Sequence, residues 1–136
     1  MITFENKLRV RYGETDKMGY VYYGNYPLYY EVGRTELMRH FGFPYKKIEE
    51  MGIMLPVRNL DVKYYKPAVY DDLLTIQTII KALPKAKITF YYEIYNENKE
   101  LLNQGETTLV FIDANSRKPR RAPDELIKKL KPYFPD

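Results

Sequence analysis

One long stretch of this chain carries helical periodicity, and nearly everything after it alternates with a period of two. Tyr26, Tyr30, Gly33, Leu37 and Phe41 recur at helical spacing and form a single apolar stripe. Leu28 and Val32 are apolar on another side, which predicts a helix enclosed by more than one surface. Asn25 stands where an N-cap would, with Pro27 in the first turn, and Gly42 and Pro44 mark the end. A short helix over 45–51 follows, closed by Gly52. Four segments (54–65, 73–83, 86–96 and 101–114) are then rich in Ile, Thr, Tyr, Val and Phe and are separated by turn residues. In the third, Ile88, Phe90, Tyr92 and Ile94 face one way, and Thr89, Glu93 and Tyr95 the other. A first strand over 2–13 and a short amphipathic helix starting at Pro123 or Asp124 complete the order. One long helix and a run of antiparallel strands have an economical solution: a curved sheet wrapped around the helix, an α+β layout.

No repeat, linker or low-complexity tract divides the chain, so one domain over residues 1–136 is expected. No apolar run approaches the roughly 20 residues of a membrane span. The start, MITFENKLRVRYG, lacks the apolar core of a signal peptide and reads as a strand, which points to the cytoplasm. With no cysteine and one histidine, His40, the composition argues against disulfides and against a zinc or other metal site. His40, near the helix end, is expected to meet terminal carbonyls. The net charge of +4 is modest, but RKPRR (117–121) and KKLK (128–131) concentrate it near the end of the chain. Such a run is either a solvated face or an anion site for phosphates. Nucleic acid is disfavoured, because the basic residues lack interleaved aromatics for base stacking.

The segment ETDKMGYVYYGNYP (14–27) places a carboxylate, Asp16, in a tyrosine-rich loop leading into the helix. The first turn of a helix offers unpaired N–H groups and partial positive charge, which stabilise a carbonyl oxygen as it becomes an oxyanion. A nearby carboxylate can attack that carbonyl or take a proton from a water that does. Together these parts suffice for acyl transfer without serine, cysteine, metal or cofactor. Gly19 and Gly24 would let backbone approach a ligand. The alternative is that Asp16 only caps a turn, as acids in loops commonly do.

RYGETDKMGYVYYGNYPLYYEVGRTELMR resembles the hotdog-fold acyl-CoA thioesterases, the group of 4-hydroxybenzoyl-CoA thioesterase and the YbgC-like enzymes. Asp16, Gly19, Val21, Tyr22, Asn25, Tyr26, Glu31 and Arg34 occupy the places of that pattern. YYKPAVYDDLLTI (64–76) is similar to a second family segment, and GETTLVFIDANSRKPRRAP (105–123) to its last core strand and basic turn. The resemblance covers nearly the whole chain. It implies a hotdog fold, Asp16 as the catalytic carboxylate, and backbone N–H groups around Tyr23, Gly24, Asn25 and Tyr26 that polarise the thioester carbonyl. Many YbgC-like members carry histidine where this chain has Tyr23, whereas the 4-hydroxybenzoyl-CoA branch carries tyrosine. Tyr23 then serves as a wall or hydrogen-bond donor for the acyl group.

The expected activity is hydrolysis of a short-chain or aromatic acyl-CoA to free acid and CoA. Lys85, Lys87, Arg117, Lys118, Arg120 and Arg121 are the candidates for the CoA phosphates. Glu31 and Arg34, three apart on the helix, are expected to form a structural ion pair. A homodimer or homotetramer is expected, since one curved sheet leaves an open edge, and the resemblance implies a site at the subunit interface. The competing readings are a hotdog dehydratase, for which His40 lies too far along the helix, and a non-catalytic module that binds acyl-CoA or an acyl carrier protein.

Overall fold

The computed structural model describes residues 1–135. Strand β1 (Ile2–Arg9) precedes the long helix α1 (Tyr26–His40) and a short helix α2 (Tyr45–Glu50). Then come β2 (Ile53–Met54), β3 (Val57–Tyr64), β4 (Leu73–Ile80), β5 (Lys87–Tyr95), β6 (Leu101–Val110), β7 (Ile112–Asp113) and helix α3 (Asp124–Leu130). Five strands form one antiparallel sheet in the order β1-β4-β5-β6-β3, and β2 and β7 pair as a small ribbon. This is the expected α+β hotdog arrangement, with α1 against one face of the sheet.

The alternation seen in the sequence is what builds the core. Ile88, Phe90, Tyr92 and Ile94 of β5 are all buried, as are Leu74, Ile76 and Ile80 of β4. Against them α1 lays Tyr26, Tyr29, Tyr30, Leu37 and Met38. Each such side chain contributes about 1.5–3 kcal/mol by leaving water. Tyr30 stacks on Tyr92 with ring centroids 4.2 Å apart, and its hydroxyl donates to Asn103 Oδ1 at 2.6 Å. Gly42, with φ of +74°, turns the chain out of α1, a conformation a Cβ would strain.

Several boundaries shift, each for a local reason. β1 stops at Arg9 and not at Gly13, because Tyr12–Glu14 folds into a 3-10 turn. The segment 54–65 divides into β2 and β3 around Pro56, which has no N–H for a ladder. The segment 101–114 divides at Phe111, whose N–H turns away to Ala86 O. Asn25 is not a side-chain cap. A 3-10 turn over Tyr23–Asn25 leads straight into α1, and Asn25 already has helical backbone angles. His40 packs its ring on Phe4 at 4.9 Å and makes no hydrogen bond to a terminal carbonyl among the described residues. On the side of α1 expected to meet a second surface, Leu28 is exposed and Val32 half-buried.

The helix approaches the sheet closely enough that Tyr30 reaches β6 at Gly105. A Cβ on Gly105 would meet the backbone oxygen of Asp61 and would lie 2.7 Å from Tyr30 Cε2. Neither the β3 backbone nor a stacked, hydrogen-bonded tyrosine ring can easily retreat. Gly105→Ala is therefore expected to destabilise the protein by about 1–3 kcal/mol. Urea melts of the two proteins check this, and an unchanged midpoint would mean the contact relaxes freely.

Candidate active site

The loop between β1 and α1 is closed on itself by backbone bonds. Asp16 N–H donates to Tyr20 O at 2.7 Å, Gly19 N–H to Asp16 O at 3.0 Å, and Thr15 bridges Val21. Gly19 sits at φ +81°, so its use is conformational: it closes this tight turn. Within the turn Asp16 Oδ1 accepts the N–H groups of Met18 (2.8 Å) and Tyr20 (3.3 Å). The turn-capping reading of Asp16 thus holds for one oxygen. The other, Oδ2, has no hydrogen-bond partner among the described residues. The half-buried carboxylate therefore keeps one oxygen free for chemistry.

Asp16 lines a cleft of about 310 Å³ together with Met18, Tyr20, Val21, Tyr23, Tyr26 and the segment Tyr64–Pro67. Tyrosine dominates its wall. Tyr26 and Tyr64 meet edge to face at 5.4 Å, and Tyr64 hydroxyl donates to Tyr23 O at 2.9 Å. The buried Tyr26 accepts Ala68 N–H at its hydroxyl, and burial pushes that phenol's pKa up, so it stays protonated at neutral pH. Tyr23 is 64% exposed at the rim, with its ring 4.7 Å from that of Tyr22. In the 3-10 turn Asn25 N–H is spent on Tyr22 O at 2.9 Å. The N–H groups of Tyr23 and Gly24 donate to no described residue, and they form the positive end of the helix beside Asp16. The cleft thus brings the Asp16 carboxylate and Tyr23, the first residue of the helix-start turn, onto one aromatic wall.

Of the residues singled out from the sequence, Asp16, Tyr23 and Tyr26 come together here, and Gly24 follows Tyr23 in the turn without lining the cleft. Asn25 takes a different part: its Nδ2 donates to Glu14 O at 2.9 Å and ties the loop to the helix. Glu31 and Arg34 do not pair. Arg34 is 6% exposed and donates from Nε to Tyr45 hydroxyl (3.0 Å), with a longer contact from Nη1 to Tyr92 hydroxyl (3.5 Å), while Glu31 stays at the surface. The two residues are three apart, but the Arg34 side chain follows the buried stripe toward the sheet, away from Glu31.

The basic residues fall at the far end of the sheet. Lys87 opens β5 opposite Val110, and Leu109 faces Val57, the start of β3. Ala122 N–H joins Lys85 O there, and Lys85 and Arg121 share a cleft of about 320 Å³. Arg117, Lys118 and Arg120 follow in the turn beyond β7. The Asp16 cleft lies at the other end of β3, where Tyr64 pairs Asn103. The eight residues of β3 span roughly 25 Å at about 3.3 Å each, so within one chain the two sets do not meet.

Reasoning from the sequence missed Glu14, Tyr29 and the lining role of Tyr64, Tyr65, Lys66 and Pro67. The last four stand inside the second motif, YYKPA, whose position in the cleft depends on how β3 ends. Glu14 left one local sign: Arg11 and Glu14 are three apart, and they do pair, at 2.9 Å.

The family model for the thioesterase-like superfamily matches residues 10–130. The acyl-CoA thioester hydrolase YbgC of Escherichia coli is 36% identical over 128 residues, which is 94% of this chain and 96% of that one. A putative acyl-CoA thioesterase, YneP of Bacillus subtilis, is also 36% identical, covering 85% of this chain and 83% of its own. Among solved structures, the DHNA-CoA thioesterase of Staphylococcus aureus superposes with a TM-score of 0.85 at 37% identity, covering all of this chain and 86% of that one.

Proposed function

The chain belongs to the thioesterase-like superfamily and is a YbgC-like acyl-CoA thioester hydrolase, and on that footing we propose that it cleaves an aromatic or short-chain acyl-CoA with Asp16 as the catalytic carboxylate. The thioester carbonyl oxygen sits on the Tyr23 and Gly24 N–H groups. Asp16 Oδ2 then attacks the carbonyl carbon, or takes a proton from a water that attacks it. The C–S bond breaks, CoA leaves as the thiol, and water supplies the hydroxyl of the free acid. The observation that carries this reading is the shared cleft: Asp16, with one carboxylate oxygen lacking a partner among the described residues, and Tyr23, which opens the helix-start turn, line the same tyrosine wall. That wall favours a flat aromatic acyl group, since stacking and edge contacts need ring faces. The similar Staphylococcus aureus enzyme, which acts on DHNA-CoA, supports the same preference. Thiol release from a panel running from acetyl-CoA through long-chain to benzoyl- and naphthoyl-CoA tests it. The aromatic thioesters should show the highest kcat/KM. A maximum on long-chain substrates would overturn the acyl preference, and no release from any member would overturn the mechanism.

The working unit we infer is a two-fold dimer paired through β3. That strand is an open edge, with β6 on one side only, and it exposes Val57, Leu60 and Tyr64 at about half their surface. Such an edge invites pairing with a second copy. Antiparallel pairing of β3 with its mate sets the Tyr64 end of one chain beside the Val57 end of the other. The partner's Lys85, Lys87, Arg117, Lys118, Arg120 and Arg121 then come to the Asp16 side, where CoA phosphates need cations. Sedimentation equilibrium at micromolar concentration should give twice the chain mass of 16.3 kDa, and a fully active monomer would overturn this assembly.

A further inference from the structure

Glu14 is the point where the Asp16 loop is fastened to α1. Its carboxylate is mostly buried and collects four hydrogen bonds. Oε1 accepts Arg11 N–H at 2.8 Å and the Tyr29 hydroxyl at 3.0 Å, while Oε2 accepts Arg11 Nε at 3.2 Å and Nη2 at 2.9 Å. Its backbone carbonyl accepts two more, from Tyr22 N–H and from Asn25 Nδ2, each at 2.9 Å. Tyr29 and Asn25 belong to the start of the helix, and Asp16 lies two residues beyond Glu14. The Glu14 carboxyl thus holds Tyr29 and its carbonyl holds Asn25, one turn apart on the same helix face. Among the described residues no other side chain hydrogen-bonds the 11–20 loop to α1.

We propose that Glu14, acting through Tyr29 and Asn25, is a positioning residue that sets the distance between the Asp16 carboxylate and the Tyr23 and Gly24 N–H groups. This rests on the reading of Asp16 as the catalytic carboxylate. The reason such a clasp matters is geometric. Attack on a carbonyl requires the nucleophile and the oxyanion donors at fixed separation, and a displacement of about 1 Å can cost on the order of a hundredfold in rate. The two parts stand on different segments: Asp16 on a turn, the donors on a helix start. The Asp16 turn is tied to the segment after β3 by Val21 N–H on Ala68 O at 2.9 Å and by a Tyr20–Val69 bridge. Glu14 adds the direct ties between the loop and the helix start, on both its side chain and its main chain. The hydroxyl of Tyr29 is an economical means to this end, because its ring is already fixed in the core against Tyr26 at 5.7 Å.

Tyr29→Phe deletes one hydroxyl and leaves the ring packing intact, and Glu14→Ala removes the carboxylate that accepts it. Both are compared with Asp16→Asn on the best acyl-CoA of the panel, with steady-state kinetics and thermal melts. Each clasp variant should lower kcat about ten- to hundredfold with KM changed by less than about threefold, because the loss falls on the transition state. The double variant should be no slower than Glu14→Ala alone, since both changes cut the same link. A merely structural role would lower the melting temperature and leave kcat per folded enzyme unchanged. If Glu14→Ala fails to fold, Tyr29→Phe alone decides by the same split. Parental kcat in Tyr29→Phe, with Asp16→Asn inactive, overturns the clasp and leaves the catalytic carboxylate standing. Parental kcat in Asp16→Asn overturns both.

Discussion

Asp16→Asn should give a folded protein whose turnover on its best acyl-CoA is lower by about a hundred- to ten-thousandfold, the usual worth of a positioned acid–base group or nucleophile. The substitution is mild for the fold. Asparagine keeps an Oδ1 that can accept the Met18 and Tyr20 N–H groups, so the turn that holds residues 15–21 together is retained. What disappears is the negative charge and the free second oxygen. An amide neither attacks a thioester nor removes a proton from water at neutral pH. Binding should change little, because the tyrosine wall and the helix-start N–H groups are untouched, so the effect should appear in kcat and not in KM. Rates within a few-fold of the parent would reduce Asp16 to the turn-capping residue that its Oδ1 already is.

The second large effect concerns where the cations act. Replacing Lys85, Lys87, Arg117, Lys118, Arg120 and Arg121 by neutral residues should raise KM for the CoA thioester about ten- to hundredfold, since charge-assisted contacts to phosphate contribute about 1.5–3 kcal/mol each when well formed and less when exposed. The matching pantetheine thioester, which lacks the phosphates, should hardly respond. If the two substrates lost equally, the basic residues would not be the phosphate site. The cis or trans question is answered by mixing. A chain with Asp16→Asn keeps its cations, and the charge-neutral chain keeps its Asp16. In a mixed two-fold dimer one site then combines an intact Asp16 with the partner's intact cations. Activity should therefore return on mixing under conditions that exchange subunits, with the parental KM. No recovery in a verified mixed dimer would mean that each chain serves its own site, against the roughly 25 Å that β3 puts between the two sets.

Arg34 shows how local reasoning fails even where the spacing is right. Glu31 and Arg34 satisfy the rule for helical ion pairs, yet Arg34 lies inside and hydrogen-bonds Tyr45 and Tyr92. Spacing says which residues share a helix face; it does not say which face the sheet will cover. Asn25 makes the same point. It has the right chemistry for a cap, but the chain enters α1 through a 3-10 turn, and its amide is used on Glu14 O instead. Both outcomes depend on contacts between segments far apart in the chain.

What could be read from the residues alone was whatever depends on short-range periodicity and on local chemistry. The helical stripe from Tyr26 to Phe41, the alternation of Ile88, Phe90, Tyr92 and Ile94, the breaks at Gly42 and Gly52, and an acid placed before a helix start were all visible, and with them the α+β fold. These follow from backbone geometry and side-chain hydrophobicity, which act over a few residues. The clasp at Glu14, the union of Tyr64–Pro67 with Asp16 in one cleft, and the placing of the basic residues at the opposite end of the sheet were not visible. The clasp depends on how the loop folds back onto α1, and the other two are set by strand order and register, here β1-β4-β5-β6-β3, a property of long-range pairing that no stretch of sequence carries within itself.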